Sequence, residues 1–412
     1  MRYPRLFTAA LLGCLLGTPL LAAASADPLR PLRPLAETLL AEHPAVQSAR
    51  AELEQVEAEA RAAGRPLYNP ELEVDYENAT DVTKTLGLSQ TVDWNGKRLA
   101  RRQAGDQRLR AARARLDAIR QQLLGELLGE LATFDTAREA ARLARHRVEL
   151  LSAFLRLAEQ RFAAGDVGRA DVDLARLALS EARMRAAARS AAARSSAARL
   201  GALVARPANG WPGLPSLPER LEQTDPAQLL QRHPRLRQAE AEAAAARAGV
   251  TSAQRQRRPD PTLAVRGGRE ADKRLLGLTL SIPLYVRNDY SAEVDAAAAA
   301  AVRAEQAYRD GLRRARAELE AAAERYRLTR AALRDWQEHG RQSLQGRTEL
   351  LQRLWESGEI DTTDHLVQLQ QMLDTQLASV ELRGDVWQAW LAWLQAAGRI
   401  EHWLGLAPPL TP

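Results

Sequence analysis

The sequence contains two copies of one pattern, set about 190 residues apart. The first copy begins with His43-Pro44 and the second with His233-Pro234, and Leu86-Gly87-Leu88 returns as Leu276-Gly277-Leu278. An internal repeat of whole supersecondary units restricts a chain to architectures that are assembled from equivalent parts. The repeat therefore constrains the fold more than any single motif does.

Each copy predicts the same order of elements: a helix, a β-hairpin and a long helical hairpin. We expect repeat 1 at 27–206, with its opening helix at 35–63, and repeat 2 at 227–406. A crossover rich in proline and glycine joins them at 207–226, and a short tail follows at 407–412. The predicted β-hairpins and helical hairpins span 70–94 and 97–205 in repeat 1, and 260–285 and 291–405 in repeat 2.

Alternation of apolar and polar residues supports the strand predictions. One strand places Leu72, Val74 and Tyr76 on one side and four acids, Glu71, Glu73, Asp75 and Glu77, on the other. A period of two residues is typical of a strand whose two faces meet different surroundings. The other three strands repeat the apolar side, with Leu86, Leu88, Leu263, Val265, Leu276, Leu278 and Leu280. All four strands therefore have one apolar face and one face that is acidic, small or hydroxylated.

Very long helical segments separate the hairpins. Residues 97–164 and 291–357 contain no proline. At 1.5 Å per residue, each would span on the order of 100 Å if it were continuous. A glycine follows each segment, Gly165 and Gly358, and a second helical pattern then runs on. This arrangement predicts an antiparallel helical hairpin that is made twice.

Three tryptophans near the C-terminus, Trp387, Trp390 and Trp393, recur at every third position. That spacing places them close together on one side of a helix. We expect them to pack against the crossover at 207–226. A belt at a membrane interface is the alternative.

The first residues have the features of an export signal. Arg2 and Arg5 precede an apolar stretch, and Ala24-Ser25-Ala26 is a small-residue cleavage motif, so cleavage is expected after Ala26. Residues 1–26 are therefore expected to be a signal peptide. The alternative is lipidation at Cys14, the only cysteine of the chain, but further apolar residues follow it instead of a polar tether.

Composition argues against several classes of function. The chain has 58 Lys and Arg against 52 Asp and Glu and a pI near 9.8, yet acids are interleaved with the basic residues, so nucleic-acid binding is not expected. The six histidines are scattered without a second His or Cys at metal-ligand spacing. We expect no metal site, no cofactor and no enzyme, and we expect His339 and His365 to be exposed helix residues.

Four strands with one apolar face suit a lipid environment. A spanning strand needs about 9–11 residues, and lipid does not tolerate an open sheet edge. Because a small filled barrel already takes about eight strands, the four strands are expected to join those of other subunits. Two subunits would fill the lumen with side chains, whereas three would give twelve strands and room for water. The small and polar inward positions favour a homotrimer. A soluble protein with two half-buried hairpins on coiled-coil stalks is the alternative.

Over essentially the whole mature length, the chain resembles the TolC-like outer-membrane efflux proteins. The duplicated order of elements, the His-Pro starts and the turn motifs at 161–171 and 354–364 carry this resemblance. The segment Leu88-Ser89-Gln90-Thr91-Val92-Asp93-Trp94-Asn95-Gly96-Lys97-Arg98 is similar to one common in the heavy-metal (CzcC-like) branch. The resemblance implies a mainly α-helical, TolC-like fold with a membrane β-barrel portion. In that fold a trimer forms a twelve-strand barrel in the outer membrane and an α-helical barrel in the periplasm.

The resemblance also assigns roles to the helical turns. Gly165-Asp166-Val167-Gly168 and Gly358-Glu359-Ile360-Asp361 would be the periplasmic tips. They would meet an adaptor (membrane-fusion) protein that connects to an inner-membrane RND pump. By position, Asp171 and Asp364 match acids that line a constriction in the family. Ile360 stands where the family has a companion basic residue, so a salt-bridge gate is not expected. The alternative is that both acids only cap their helices.

The sequence thus predicts a passive exit duct of a tripartite RND-type efflux system. Divalent heavy-metal cations are the first expected cargo, because of the resemblance of residues 88–98. A channel for multidrug efflux or type I secretion is the second possibility. A periplasmic coiled-coil scaffold without a pore is the alternative from a different class.

Overall fold

The computed structural model describes residues 29–78, 80–344 and 347–406. The predicted signal peptide, with Cys14 and the cleavage position after Ala26, lies outside the described residues, as does the predicted tail at 407–412. The elements follow in this order: α1 (Arg33–Glu42), α2 (Pro44–Ala63), β1 (Glu71–Asn78), β2 (Val82–Thr91), α3 (Lys97–Ala164), α4 (Arg169–Leu203), α5 (Pro226–Arg232), α6 (Pro234–Gln256), β3 (Thr262–Glu270), β4 (Lys273–Ser281), α7 (Ser291–Asp335), a π-helical turn (Trp336–Gly340), α8 (Arg341–Leu344), α9 (Arg347–Glu356), α10 (Thr362–Ala396) and α11 (Ile400–Trp403).

The opening helix of each repeat is broken at its His-Pro pair. The sequence predicts one helix over 35–63, but α1 ends at Glu42 and α2 begins at Pro44, with His43 in an extended conformation (φ −66°, ψ 129°). The cause is the proline, whose ring disfavours helical geometry in the residue before it. The His43 ring then accepts a hydrogen bond from the backbone N–H of Ala45 at 3.2 Å. His233 separates α5 from α6 in the same way, and its backbone angles (φ −65°, ψ 122°) are nearly those of His43.

The four strands form one antiparallel sheet in the order β1-β2-β3-β4. The two hairpins therefore lie side by side, because β2 of repeat 1 pairs with β3 of repeat 2. Leu88 pairs with Leu72 on one side and with Val265 on the other, and Val265 pairs in turn with Leu278. Paired residues of an antiparallel sheet point to the same face. The register therefore aligns the apolar positions of both hairpins in continuous rows.

The helical hairpins differ between the repeats. In repeat 1, α3 is continuous for 68 residues, which corresponds to about 100 Å. In repeat 2 the equivalent run is not one helix, because α7 gives way to a π-helical turn at Trp336–Gly340 before α8 and α9. A side chain at Gly340 would overlap the Trp336 ring, so the glycine permits this close approach.

Two buried clusters hold the helices together. The larger one joins α1, α3, α7 and α10 with the crossover, and it contains Trp387, Trp390 and Trp393. Trp211, Leu214 and Leu217 of the crossover pack against it. The predicted packing of the tryptophan stripe on the crossover is therefore confirmed. The smaller cluster joins α3, α4, α9 and α10 near the helical turns.

Among the described residues, none of the helices combines the length and the apolar character that crossing a membrane requires.

Candidate functional site: a two-faced sheet and a helical tip

One face of the sheet is apolar and exposed. Leu72, Leu88, Val265 and Leu278 form one row of this apolar face, and Val74, Leu86, Gly267 and Leu276 form the next. These leucines and valines are at least half exposed, and Leu276 and Leu278 exceed 80%. Large apolar side chains in such a continuous patch on a protein surface mark an interaction site.

The opposite face of the sheet is polar and carries small residues. One of its rows runs Glu73, Gly87, Arg266 and Gly277, and the row beside it runs Glu71, Ser89, Ala264 and Thr279. The Arg266 side chain lies across Gly277, where a Cβ would come within 3.0 Å of its Nε. The polar face therefore has acids on β1 and small residues on β2 and β4.

Among the residues that the structure describes, both edges of the sheet are unpaired. β1 pairs only with β2, and β4 pairs only with β3. An exposed edge strand presents a row of unsatisfied backbone N–H and C=O groups, which is a template for pairing with another chain. Because four antiparallel strands alternate in direction, β4 of one chain and β1 of another are suited to antiparallel pairing.

A buried ion pair connects the sheet to the long helix. Lys97 Nζ lies 3.1 Å from Asp260 Oδ2, and the two side chains are 8% and 2% exposed. Asn95 Nδ2 and Tyr68 Oη also donate to the Asp260 carboxylate, at 3.2 and 3.0 Å. Burial of Asp260 raises its pKa, but the hydrogen bonds from Lys97, Asn95 and Tyr68 outweigh this effect and hold the pKa below its usual range. Removing one partner of such a pair costs on the order of 3–5 kcal/mol.

The residues between β2 and α3 also fix the start of the long helix. The Asp93 carboxylate accepts hydrogen bonds from the backbone N–H groups of Lys97 and Arg98, each at 2.8 Å. Gly96 has a positive φ of 68° and turns the chain into the helix. The segment 88–98, which carries the sequence resemblance to the heavy-metal branch, therefore comprises the end of β2, the connector between β2 and α3, and the start of α3.

The first helical turn, at Gly165-Asp166-Val167-Gly168, ends α3 and begins α4. Gly165 has φ +87°, and the N–H of Asp166 donates to the Arg161 carbonyl at 2.9 Å. This left-handed glycine closes the helix in the manner of a Schellman motif. The Asp171 carboxylate reaches back and accepts from the Gly168 N–H at 2.9 Å. Asp171 therefore acts as a cap of α4.

The second turn, at Gly358-Glu359-Ile360-Asp361, uses different cap chemistry. Gly358 again has a positive φ, of 77°. Here Asp361 is the N-cap, and its carboxylate accepts from the backbone N–H of Asp364 at 2.7 Å. The Asp364 side chain is exposed, and none of the hydrogen bonds or ion pairs of the described residues involves its carboxylate. Asp171 and Asp364 are thus equivalent in sequence but not in their contacts.

The two turns, which together form the tip, are joined within the chain. Arg161 Nη1 donates to the Trp355 carbonyl at 2.8 Å, and its guanidinium lies 5.1 Å from the Trp355 ring centroid. Phe154 packs against Trp355 with ring centroids 4.5 Å apart. These contacts connect α3 of repeat 1 to α9 of repeat 2.

His365 is buried in this tip, so its predicted exposure is wrong. It is 5% exposed, stacks on Phe154 at 5.0 Å and donates through Nδ1 to the Leu351 carbonyl at 3.2 Å. The sequence contains no local sign of this burial, because the rings that cover His365 come from α3 and α9. His339 is exposed, as expected.

Potential metal-binding groups of three or more His, Cys, Asp or Glu are absent from the part of the chain that the structure describes.

The family model described as outer membrane efflux protein matches residues 35–206 and 226–399. These two ranges cover most of the chain. The chain therefore belongs to the outer membrane efflux protein family, and it is an efflux channel component of the outer membrane, not an enzyme.

Solved structures of channels share the fold. CusC is 15% identical with a TM-score of 0.75, covering 90% of this chain and 92% of its own. The outer-membrane channel OprN is 20% identical with a TM-score of 0.77, and the coverage is 90% of each chain. VceC from Vibrio cholerae is 22% identical with a TM-score of 0.71, covering 89% of this chain and 96% of its own. At these identities the likeness establishes the TolC-like fold alone. No curated protein matches the sequence significantly.

The burial of His365 predicts that the stability of the tip depends on pH. Burial lowers the pKa of His365, although the hydrogen bond to Leu351 and the nearby Glu356 oppose the shift. Because the pKa in the folded state is lower than the usual 6.5, stability is lost as the pH falls below that value. We expect hydrogen exchange of residues 351–373, corrected for the intrinsic rate, to be faster at pH 5.5 than at pH 7.5. In the His365→Phe variant this difference should shrink, and an unchanged difference would contradict the prediction.

Proposed function

We propose that this chain is the outer-membrane exit duct of a tripartite RND-type efflux system and that it works as a homotrimer. The observation that carries the proposal is the four-stranded sheet with one exposed apolar face and two unpaired edges. The apolar face is stable in contact with lipid, but lipid leaves the backbone groups at the edges without hydrogen-bond partners. A neighbouring copy of the chain supplies those partners through β1 and β4.

The polar face supports three subunits. Twelve strands enclose a lumen that is wider than the filled interior of an eight-stranded barrel. Gly87, Gly277 and Ala264 leave space on that face, and Glu71, Glu73 and Asp75 give it a negative charge. A water-filled and acidic lumen suits the passage of cations. Exposed apolar residues of α4 (Leu174, Leu177 and Met184) also suit packing between subunits.

The orientation of the sheet is tested by charge substitution on adjacent residues. Leu278 is 82% exposed on the apolar face, and Thr279 follows it on the polar face. An arginine on the lipid face costs about 2–4 kcal/mol at the bilayer midplane. We therefore expect Leu278→Arg to abolish the heat-modifiable oligomer that forms in lipid vesicles, whereas Thr279→Arg retains it. A pore-free soluble scaffold would tolerate both substitutions, since each side chain then meets water.

The tip is the proposed docking surface for the periplasmic adaptor. Its residues are Gly165, Asp166, Val167 and Gly168 in the first turn, and Gly358, Glu359, Ile360 and Asp361 in the second. All are exposed except Val167 and Ile360, which are half-buried. The length of α3 places these turns about 100 Å from the sheet, which is where a partner anchored in the opposite membrane would meet the duct.

The two predicted constriction acids differ in their cap contacts. Asp171 is engaged in a helix cap, whereas the Asp364 carboxylate remains available to line a pore. We expect Asp364→Ala to lower cation selectivity, measured as the reversal potential of the channel in a planar bilayer under a KCl gradient. Asp171→Ala should instead lower the stability of the folded protein by about 1 kcal/mol through loss of the cap. Unchanged selectivity in the Asp364→Ala channel would leave the acidic constriction without support.

Divalent heavy-metal cations are the proposed cargo. The similarity of residues 88–98 to the heavy-metal branch and the acidic polar face both support this choice. We expect a host strain that lacks the gene to accumulate divalent cations such as Zn²⁺ or Co²⁺, measured by elemental analysis, and to be rescued by the intact gene. Sensitivity to organic dyes without metal accumulation would instead favour multidrug efflux, the second candidate.

A further inference from the structure

Three basic side chains stand next to one another on the apolar face of the sheet. Lys84 on β2 pairs with Arg269 on β3, and Arg269 pairs with Arg274 on β4. Tyr76 on β1 completes the row, and Lys84 Nζ lies 5.6 Å from the centroid of its ring. All three cations of this basic row are exposed.

Among the described residues, this basic row has no anionic partner. Every acid of the four strands lies on the polar face, and none of the ion pairs between described residues involves Lys84, Arg269 or Arg274. Like charges that face each other directly across strands are destabilising. Strands lie about 4.8 Å apart, so three positive charges occupy about 10 Å. The repulsion between the three cations is therefore offset only if an external anion binds to the row.

The position of the basic row in the sheet indicates the source of that anion. The row lies two residues beyond Val74, Leu86 and Leu276, which belong to the exposed apolar rows, and next to the hairpin turns. The helices all attach at the other end of the sheet. With the helices in the periplasm, the row stands at the headgroup level of the outer leaflet.

A gap in the apolar face adjoins the basic row. Gly267 pairs with Leu86 and Leu276, which are both large and exposed, and it has no side chain to fill the space between them. A groove lined by these residues and by Arg269 and Arg274 results. An apolar groove immediately below three cations matches an acyl chain with a phosphate at its head.

We propose that the basic row binds the phosphate of an outer-leaflet lipid, with an acyl chain of that lipid in the groove at Gly267. Arginine and lysine bind phosphate through charge-assisted hydrogen bonds. The bound phosphate also offsets the repulsion between Lys84, Arg269 and Arg274. This inference rests on the proposed function only for the orientation of the sheet in the membrane.

The test uses the purified full-length protein in neutral detergent. Fluorescently labelled diphosphoryl lipid A is titrated into the wild type and into the triple variant Lys84→Gln, Arg269→Gln, Arg274→Gln. The expected result is an affinity roughly 100-fold weaker in the triple variant, since three cations are lost and each cation near an anionic lipid strengthens binding about fivefold. Arg269→Lys with Arg274→Lys should retain most of the affinity.

The matched control removes cations from the polar face at nearby positions: Arg266→Gln with Lys273→Gln should bind the lipid as the wild type does. Equal binding by the triple variant, or an equal loss in the control, overturns the proposal. Competition by equimolar inorganic phosphate also overturns it, because the site would then recognise phosphate without the lipid. Bilayer conductance of the triple variant should remain normal, so a loss of lipid binding is distinguishable from a failure of the duct.

Discussion

The backbone groups at the edges of the sheet constrain everything else in this protein. β1 and β4 each leave one row of N–H and C=O groups without a partner in the described part of the chain. Water satisfies such groups, but a bilayer does not. Under the proposed function, a chain that presents an apolar face and open edges together is complete only in an assembly. The same requirement for neighbouring copies would apply to the helices, because the helical hairpins continue directly from the strands of the sheet.

Much of the architecture was predictable from local patterns. A period of two residues located the strands, and the left-handed glycines at 165 and 358 marked the helical turns. Contacts between distant segments were not predictable. The burial of His365 depends on Phe154 and Trp355, and the Lys97–Asp260 pair joins residues that are far apart in sequence. The break at His43 has a local signal, the proline that follows it. Periodicity alone obscured this signal, because the apolar pattern continues through the proline.

The two repeats share a plan but divide their chemistry unequally. Gly96 and Tyr290 both adopt positive φ just before a long helix. At the start of α3, Lys97 forms a buried ion pair with Asp260, whereas before α7 Asp289 forms an exposed pair with Arg257. The tips differ in the same way, through their caps. Sequence similarity between the repeats therefore identifies equivalent positions, but it does not identify equivalent roles.

The contact between Arg161 and Trp355 links the two helical turns of one chain. If either turn moves outward alone, the charged hydrogen bond breaks and the buried aromatic cluster around Phe154 opens. The two turns of a subunit are therefore mechanically coupled. In the proposed trimer, the six turns would move as three rigid pairs, so a constriction at the tips would have three moving parts instead of six. A partner that grips only one turn would displace both.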